Sequence, residues 1–325
     1  MTNKSTARAH TNIALIKYWG KANQELIIPT NDSLSLTLDQ FYTDTTVEFD
    51  ANLNGDQLVL NNQLITGKMA TKTSAFLDLI RNMASIDTPA KITSINHVPT
   101  AAGLASSASA FAALAAAGSD AAGLALSRTE LSRLARRGSG SATRSIFGGF
   151  AEWIAGDSDA NSYAQPFQEN VTMDIQMLTV VVDATEKKIG SRAGMQHALS
   201  TSPFFKTWVT ESAKDLVTIK EAIKRADFAT IGEIAENNAL QMHAINLSAK
   251  PGFTYFNGAT IQLLNIVQEL RQQGIPAYAT MDAGPNVKII SQSTDTETIS
   301  NAIKSVFPTV TLEVAKPGPG ISFLN

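Results

Sequence analysis

Pro99-Thr-Ala-Ala-Gly103-Leu-Ala-Ser-Ser-Ala108 is a loop by composition that runs straight into a helix of small residues, Ser106–Ala117. The first turn of such a helix carries unpaired N–H groups and the positive end of the peptide dipole, so it can hold a phosphate without any basic side chain. Ser106 and Ser107 add hydroxyls able to bond phosphate oxygens or to ligate Mg2+. Ala108, Ala110 and Ala112 let the helix lie close against other backbone. An ordinary N-cap serine ahead of an alanine-rich core helix reads the same way. The stretch is neither a GxxxxGK[ST] loop nor a GxGxxG fingerprint.

Outward from this loop, strands and helices mix without regular βαβ alternation. Lys91–Val98 is a strand that feeds the loop, and Met69, Phe76, Leu77, Ile80 and Met83 recur at helical spacing over Gly67–Met83. Thr6–Ile16, Thr45–Phe49 and Gln57–Leu60 read as strands, the last two around the Asn54-Gly55 turn. Downstream, Ser127-Arg-Thr-Glu130 is a capping box opening a helix. Gly138–Thr143 breaks the chain, and Gly149–Ile154 and Met177–Asp183 are strands. Asp227 caps a helix faced by Phe228, Ile231, Ala235, Ala239 and Met242. Thr260–Gln273 is a helix ended by Gly274, Ala277–Met281 and Val287–Ile290 bracket a turn as strands, and Asp295–Val306 is a last helix. The class is α+β. The charged loop after the buried strand at Asp183 divides the chain into 1–183 and 184–325.

The 325 residues are 44 % hydrophobic and 17 % charged, with a net charge of −3. That composition fits a well-cored globular protein and offers no basic field for nucleic acid or an anionic membrane. The absence of cysteine excludes disulfides, thiolate catalysis and Cys-based metal sites. Met1–His10 lacks the apolar core of a signal peptide, the Ala-rich run is too short to span a bilayer, and a cytoplasmic location is expected. His10, His97, His197 and His243 show no metal-ligand spacing, and no GxSxG elbow is present.

Four further polar segments stand out. Asn12-Ile-Ala-Leu-Ile-Lys17-Tyr18-Trp-Gly-Lys21 crowds two lysines, a tyrosine and a tryptophan at a strand end; the alternative is a solvated strand end with an aromatic anchor. Gly138-Ser139-Gly-Ser141-Ala-Thr-Arg144-Ser145 sets hydroxyls beside one guanidinium, suited to a carboxylate or diphosphate, or else forms a flexible turn. Lys187-Lys-Ile-Gly-Ser191-Arg192 offers the same group types, or a solvated basic loop. In Met281-Asp282-Ala-Gly-Pro-Asn286, Asp282 can orient or deprotonate a hydroxyl, or simply make an Asx turn.

Taken in order along nearly the whole chain, these segments resemble the GHMP kinase superfamily and, within it, the mevalonate diphosphate decarboxylases. The Gly-rich loop marks only the superfamily. The segment Asn12–Lys21 and the turn Asp282–Asn286 mark the decarboxylating branch, with Ser191–Met195, Thr201–Pro203, Glu236–Leu240 and Met242-His243 in support. The resemblance implies a ribosomal-protein-S5-like N-terminal domain, a ferredoxin-like C-terminal domain, an active site in the cleft between them, and a homodimer. The implied reaction converts ATP and mevalonate 5-diphosphate to isopentenyl diphosphate, ADP, phosphate and CO2.

It also implies roles. Asp282 would take or align the proton of the substrate hydroxyl. Arg144 would hold the carboxylate, with Asn12 bracing it. Tyr18, Lys21, Ser139, Ser141, Ser191 and Arg192 would hold the diphosphate, with Lys17 a lesser member. Gly103, Leu104, Ala105, Ser106 and Ser107 would cradle the ATP phosphates, Ser106 or Ser107 near Mg2+. Lys187 would neutralise nucleotide charge, and Ser94 and Asn96 would lie near the adenine. Some relatives carry a serine pair where this chain has Gly190-Ser191, so one phosphate-binding hydroxyl of those relatives is absent here while Ser191 and Arg192 remain. A relative that phosphorylates without decarboxylating and a catalytically dead binding protein are the competing readings; the first expects a depleted diphosphate set, the second a lost acid.

Overall fold

A computed structural model describes residues 3–97, 106–182 and 189–324. The chain opens with β1 (Lys4–Ile16), the short pair β2 (Lys21–Asn23) and β3 (Ile28–Pro29), the long β4 (Ser33–Phe49), then β5 (Gln57–Leu60) and β6 (Gln63–Ile65). Helix α1 (Lys68–Ala84) and β7 (Ala90–His97) precede α2 (Ser106–Ala121), α3 (Arg128–Gly138), a 3-10 helix at Gly140–Ile146, β8 (Phe150–Ile154) and β9 (Tyr163–Gln168). Then come β10 (Gln176–Val181), α4 (Ser191–Thr201), α5 (Phe205–Lys224), α6 (Phe228–Leu247) and α7 (Gly258–Gln272). The chain closes with β11 (Tyr278–Met281), β12 (Val287–Ser291), α8 (Thr296–Val306), β13 (Thr311–Ala315) and β14 (Ser322–Phe323).

Two sheets carry these elements. The first runs β14-β1-β4-β7-β5-β6, with β8 and β9 branching from the lower half of β4; the second runs β11-β12-β10-β13. With helices α4–α7 between β10 and β11 and α8 between β12 and β13, the second sheet has the split-βαβ strand order of a ferredoxin-like domain. The α+β expectation therefore holds.

The long pair β1–β4 is buried on both faces over Ala9–Ile16 and Ser33–Leu38, and mainly on one face beyond Asp39. On one side Val47 packs with Leu77, Ala113 and Ala117 of α1 and α2. On the other, Ile13, Leu15, Leu34 and Leu36 pack with Leu216 and Ile219 of α5 and Ile231 and Ala235 of α6. One sheet thus supplies core to helices from both halves. Its register slips between His10 and Asn12 and again between Ala14 and Ile16; such irregularities re-aim side chains at a strand end, here just ahead of Lys17 and Tyr18.

Several expectations need adjusting. The strands at Thr45–Phe49 and Gln57–Leu60 form, but they do not pair around Asn54-Gly55: β5 lies parallel to β7 and antiparallel to β6. β10 pairs only with β12 and β13, so the chain changes sheet between β9 and β10, ahead of the division expected after Asp183. The chain end returns to the first sheet, with Ala7 opposite Phe323. Helix α5 has no counterpart in the sequence reading. Ser191 and Arg192 open α4 rather than ending a loop.

Candidate active site

The turn Asp282-Ala-Gly-Pro-Asn286 joins β11 to β12. Gly284 N–H donates to the Asp282 carbonyl at 2.8 Å, and Val182 N–H donates to Asn286 Oδ1 at 2.9 Å. Tied at both points, the turn holds Asp282 at the mouth of a cavity of about 250 Å3 between the two sheets. Asn12, Lys17, Tyr18, Lys21, Ser139, Ser141, Arg144, Ser191 and Arg192 line the same cavity. Segments far apart in the chain converge there.

The end of β1 is held tightly. Lys17 N–H donates to Asn238 Oδ1 of α6 at 2.8 Å, and Asn31 Nδ2 donates to the Lys17 carbonyl at 2.9 Å. The Lys17 ammonium donates to the Ala14 carbonyl (2.8 Å) and to Asp282 Oδ1 (2.9 Å). Burial pushes the Lys17 pKa down, and Asp282 opposes that shift. Lys17, expected as a lesser holder of the diphosphate, is thus engaged with the carboxylate. A second lysine that the sequence reading missed, Lys288 of β12, lies 3.5 Å from Asp282 Oδ2.

Arg144 projects from the 3-10 helix into the buried side of the cavity. Its Nη1 donates to Ser33 Oγ at 2.6 Å and its Nε to Asn12 Oδ1 at 3.3 Å. Asn12 Nδ2 in turn donates to Ser145 Oγ (2.7 Å) and to the Ser141 carbonyl (3.0 Å). Asn12 thus links the guanidinium to the 3-10 helix that carries it. Burial pulls Arg144 down to about 10, with Asp282 acting in the opposite sense, so it is a cation at neutral pH. Glycine is required at 140: a Cβ there would meet the Tyr18 ring at 2.7 Å.

A cationic rim completes the cavity. Burial drives Lys21 down to about 8, with Arg192 and Lys72 adding to the shift, and raises the Tyr18 phenol so that it stays protonated. Ser107, Ser139 and Ser141 hydroxyls follow one another at 3.2 and 3.3 Å. Lys72 of α1 was missed by the sequence reading. Its side chain is exposed as a whole, but its ammonium lies 4.2 Å from the Phe111 ring centroid. Desolvation, then Arg192, pulls it down to about 8. No residue-type signal marks it.

Lys72 and Ser107 also line a second cavity of about 380 Å3. Its walls are largely apolar, from Leu58, Met69, Ile92 and Phe111, with Ser94 and Asn96 among them. Ser94 Oγ lies 2.9 Å from Thr45 Oγ1, and Asn96 Oδ1 accepts from Thr43 Oγ1 at 2.8 Å. Of the remaining expected residues, Ser106 opens α2, while Gly103, Leu104, Ala105 and Lys187 lie outside the described residues. A Cβ at Gly190, the N-cap of α4, would meet nothing within 4 Å. Among the described residues, no group of three or more His, Cys, Asp or Glu side chains could hold a metal, and no helix is long and apolar enough to cross a membrane.

Comparison with known proteins places this geometry in context. Residues 9–164 match the model for the diphosphomevalonate decarboxylase-like N-terminal domain, and residues 177–317 match that for the mevalonate 5-diphosphate decarboxylase C-terminal domain. A solved complex of MDDEF with MVAPP, AMPPCP and magnesium is 50 % identical, covers 99 % of each chain and superposes with a TM-score of 0.94. Mevalonate diphosphate decarboxylase from Staphylococcus aureus is 46 % identical, covering 99 % of this chain and 98 % of that one, with a TM-score of 0.94. Diphosphomevalonate decarboxylase mvd1 of Aspergillus fumigatus is 36 % identical over 93 % of this chain and 80 % of its own length.

Proposed function

Since the chain belongs to the mevalonate diphosphate decarboxylase family, with its GHMP kinase fold, we propose a division of labour among the residues of its site. The reaction is the ATP-dependent decarboxylation of mevalonate 5-diphosphate to isopentenyl diphosphate, with ADP, phosphate and CO2 as the other products. ATP with Mg2+ supplies the phosphoryl group that turns a tertiary hydroxyl into a leaving group.

The observation that carries this reading is the placement of Asp282 and Arg144 on the walls of one cavity, an anion and a cation facing the same small volume. Asp282 accepts from the hydroxyl and aligns it for transfer. Arg144, held by Ser33 and Asn12, grips the carboxylate until CO2 leaves, and its positive charge keeps that anion apart from the diphosphate. Tyr18, Lys21, Ser139, Ser141, Ser191 and Arg192 hold the diphosphate. Confinement then does most of the work, since a tertiary centre tolerates developing positive charge and needs alignment more than attack.

The second cavity fits the nucleotide. Its apolar walls suit a flat base, with Ser94 and Asn96 at its edge, and Lys72 and Ser107 mark the passage towards the substrate. Gly103, Leu104, Ala105 and Lys187 belong to the nucleotide side of the same proposal. The donor set at the start of α2 is hydroxyl rather than carboxylate, which suits an ion held mainly by phosphate oxygens and water, as Mg2+ commonly is; Ser106 and Ser107 would join it. A homodimer and a cytoplasmic location are part of the proposal, the latter supported by a chain without cysteine.

Incubation with ATP, Mg2+ and mevalonate 5-diphosphate should release CO2 and ADP in equal amounts. ADP without CO2 would establish the kinase-only alternative.

A further inference from the structure

Lys288 sits in the middle of β12, between Val287 and the apolar pair Ile289-Ile290, and its side chain is 2 % exposed. An ammonium in such a place has lost its hydration, a cost that only good partners offset. The strand register shows what flanks it. Thr280 of β11 and Thr179 of β10 stand directly opposite Lys288, on the same face of the sheet. Both hydroxyls are buried, and neither finds a hydrogen-bond partner among the described residues. The ammonium reaches past them to Asp282 Oδ2, 3.5 Å away, while Lys17 takes Oδ1 at 2.9 Å. Each carboxylate oxygen therefore meets a buried lysine, one from the end of β1 and one from β12. The Asp282 side chain, 27 % exposed, lines the cavity.

We propose that Lys288 is a positioning residue for the reaction: with Lys17 it forms a two-cation clamp that fixes the orientation of the Asp282 carboxylate and keeps it an anion when the substrate hydroxyl arrives. The proposal rests on the reading of Asp282 as the hydroxyl acceptor. A single ion pair leaves a carboxylate free to turn about its Cβ–Cγ bond; two, one on each oxygen, restrict that rotation. The titratable groups that interact with this carboxylate include Lys17, Lys288, Arg144 of the 3-10 helix and His243 of α6. Burial first, and Lys17 second, push His243 down to about 3, so it is neutral and adds no charge to the clamp. Lys17 and Arg144 remain when Lys288 is removed, so the loss is graded rather than total.

The test uses the intact protein with ATP, Mg2+ and mevalonate 5-diphosphate. Lys288→Met keeps an unbranched side chain one atom shorter and removes the charge. It should leave KM for the substrate within about threefold and lower kcat by about 10–100-fold, the size typical of a group that orients another. The acid limb of its kcat–pH profile should move up by about one unit, because a carboxylate that loses a cation holds its proton more readily. Lys288→Arg should return the limb towards the wild-type position, and Thr280→Val, which alters the packing beside the clamp without touching it, should not move the limb. A Lys288→Met enzyme whose acid limb coincides with that of wild type overturns the proposal, whether kcat is preserved or reduced. Should that variant fail to fold, Lys288→Gln and Lys288→Arg provide the same comparison, and coincident limbs in those two overturn it equally. Wild-type turnover to CO2 tests the reaction itself, so the two failures are separable.

Discussion

The two cavities are built on opposite principles. In the first, charged groups are sunk into the core and paired before any substrate arrives: Lys17 and Lys288 on Asp282, Ser33 and Asn12 on Arg144. In the second, the walls are side chains such as Met69, Ile92 and Phe111, and the polar groups Ser94 and Asn96 bond to threonines of the neighbouring strand β4. The first cavity recognises by prearranged charge, where small displacements are costly; the second recognises by shape and apolar surface, where they are cheap. Lys72 and Ser107, common to both linings, are where the two regimes meet.

The largest test of this contrast is Asp282→Ala. It should lower kcat by about 10^2–10^4-fold, as expected for loss of a positioned acceptor. It should also lower the melting temperature, because Lys17 and Lys288 lose their shared anion inside the core. Near-normal turnover, measured as CO2 release, would show that prearranged charge is not what the first cavity contributes.

Arg144→Lys comes next. An ammonium cannot meet Ser33, Asn12 and a carboxylate in the fork geometry of a guanidinium, and kcat/KM should fall by about 100-fold. An equally large loss on truncating Phe111 to Ala would erase the distinction, since the apolar cavity should respond mainly through KM for ATP.

At the junction, Lys72→Met should raise KM for both ATP and the substrate, by about tenfold each. A rise confined to one of them would assign Lys72 to that cavity alone. The rim also predicts a pH effect. Lys21 has its folded-state pKa lowered to about 8, so its charge is present below that value and lost as pH rises through it. KM for the diphosphate should therefore climb above pH 8, and Lys21→Met should flatten that climb. The smallest effect belongs to Gly190→Ser. The position is open and precedes α4 with an extended backbone, so a serine would cap the helix and add only a few tenths of a kcal/mol. The melting temperature should rise by a degree or so, with kcat unchanged.

The legibility of the sequence followed the same divide. Local rules read well where a short motif decides: the Ser127–Glu130 box forms both of its reciprocal bonds, and Asp227 caps α6 through Thr230 N–H. The polar clusters at Asn12–Lys21, Ser139–Arg144, Ser191-Arg192 and Asp282 do line one cavity. Helix α5 was missed although Trp208, Ser212, Leu216, Ile219 and Ile223 mark its buried face; it begins after Phe204, with no side-chain cap to announce it. Lys288 had left a trace, since a lysine inside a run as apolar as Val287–Ile290 is rarely buried without a purpose. Lys72 had left none. It lies on α1 between the exposed Met69 and the buried Phe76, and only the three-dimensional arrangement brings Phe111 and Arg192 to it. Which sheet β10 joins is equally a matter of long-range pairing, and a buried strand carries no label for its partners.

The backbone at Lys17 has a consequence for how the molecule comes apart. Its amide is bound to α6, its carbonyl to Asn31 and its side chain to the β11–β12 turn. Through Asn238 the same grip extends to Asp215 of α5. A single residue is thus riveted to both halves of the protein, so neither half can loosen without stripping partners from the other. Melting should accordingly register as one calorimetric event rather than two, and a chain severed between β9 and β10 should regain activity only when both fragments are present together.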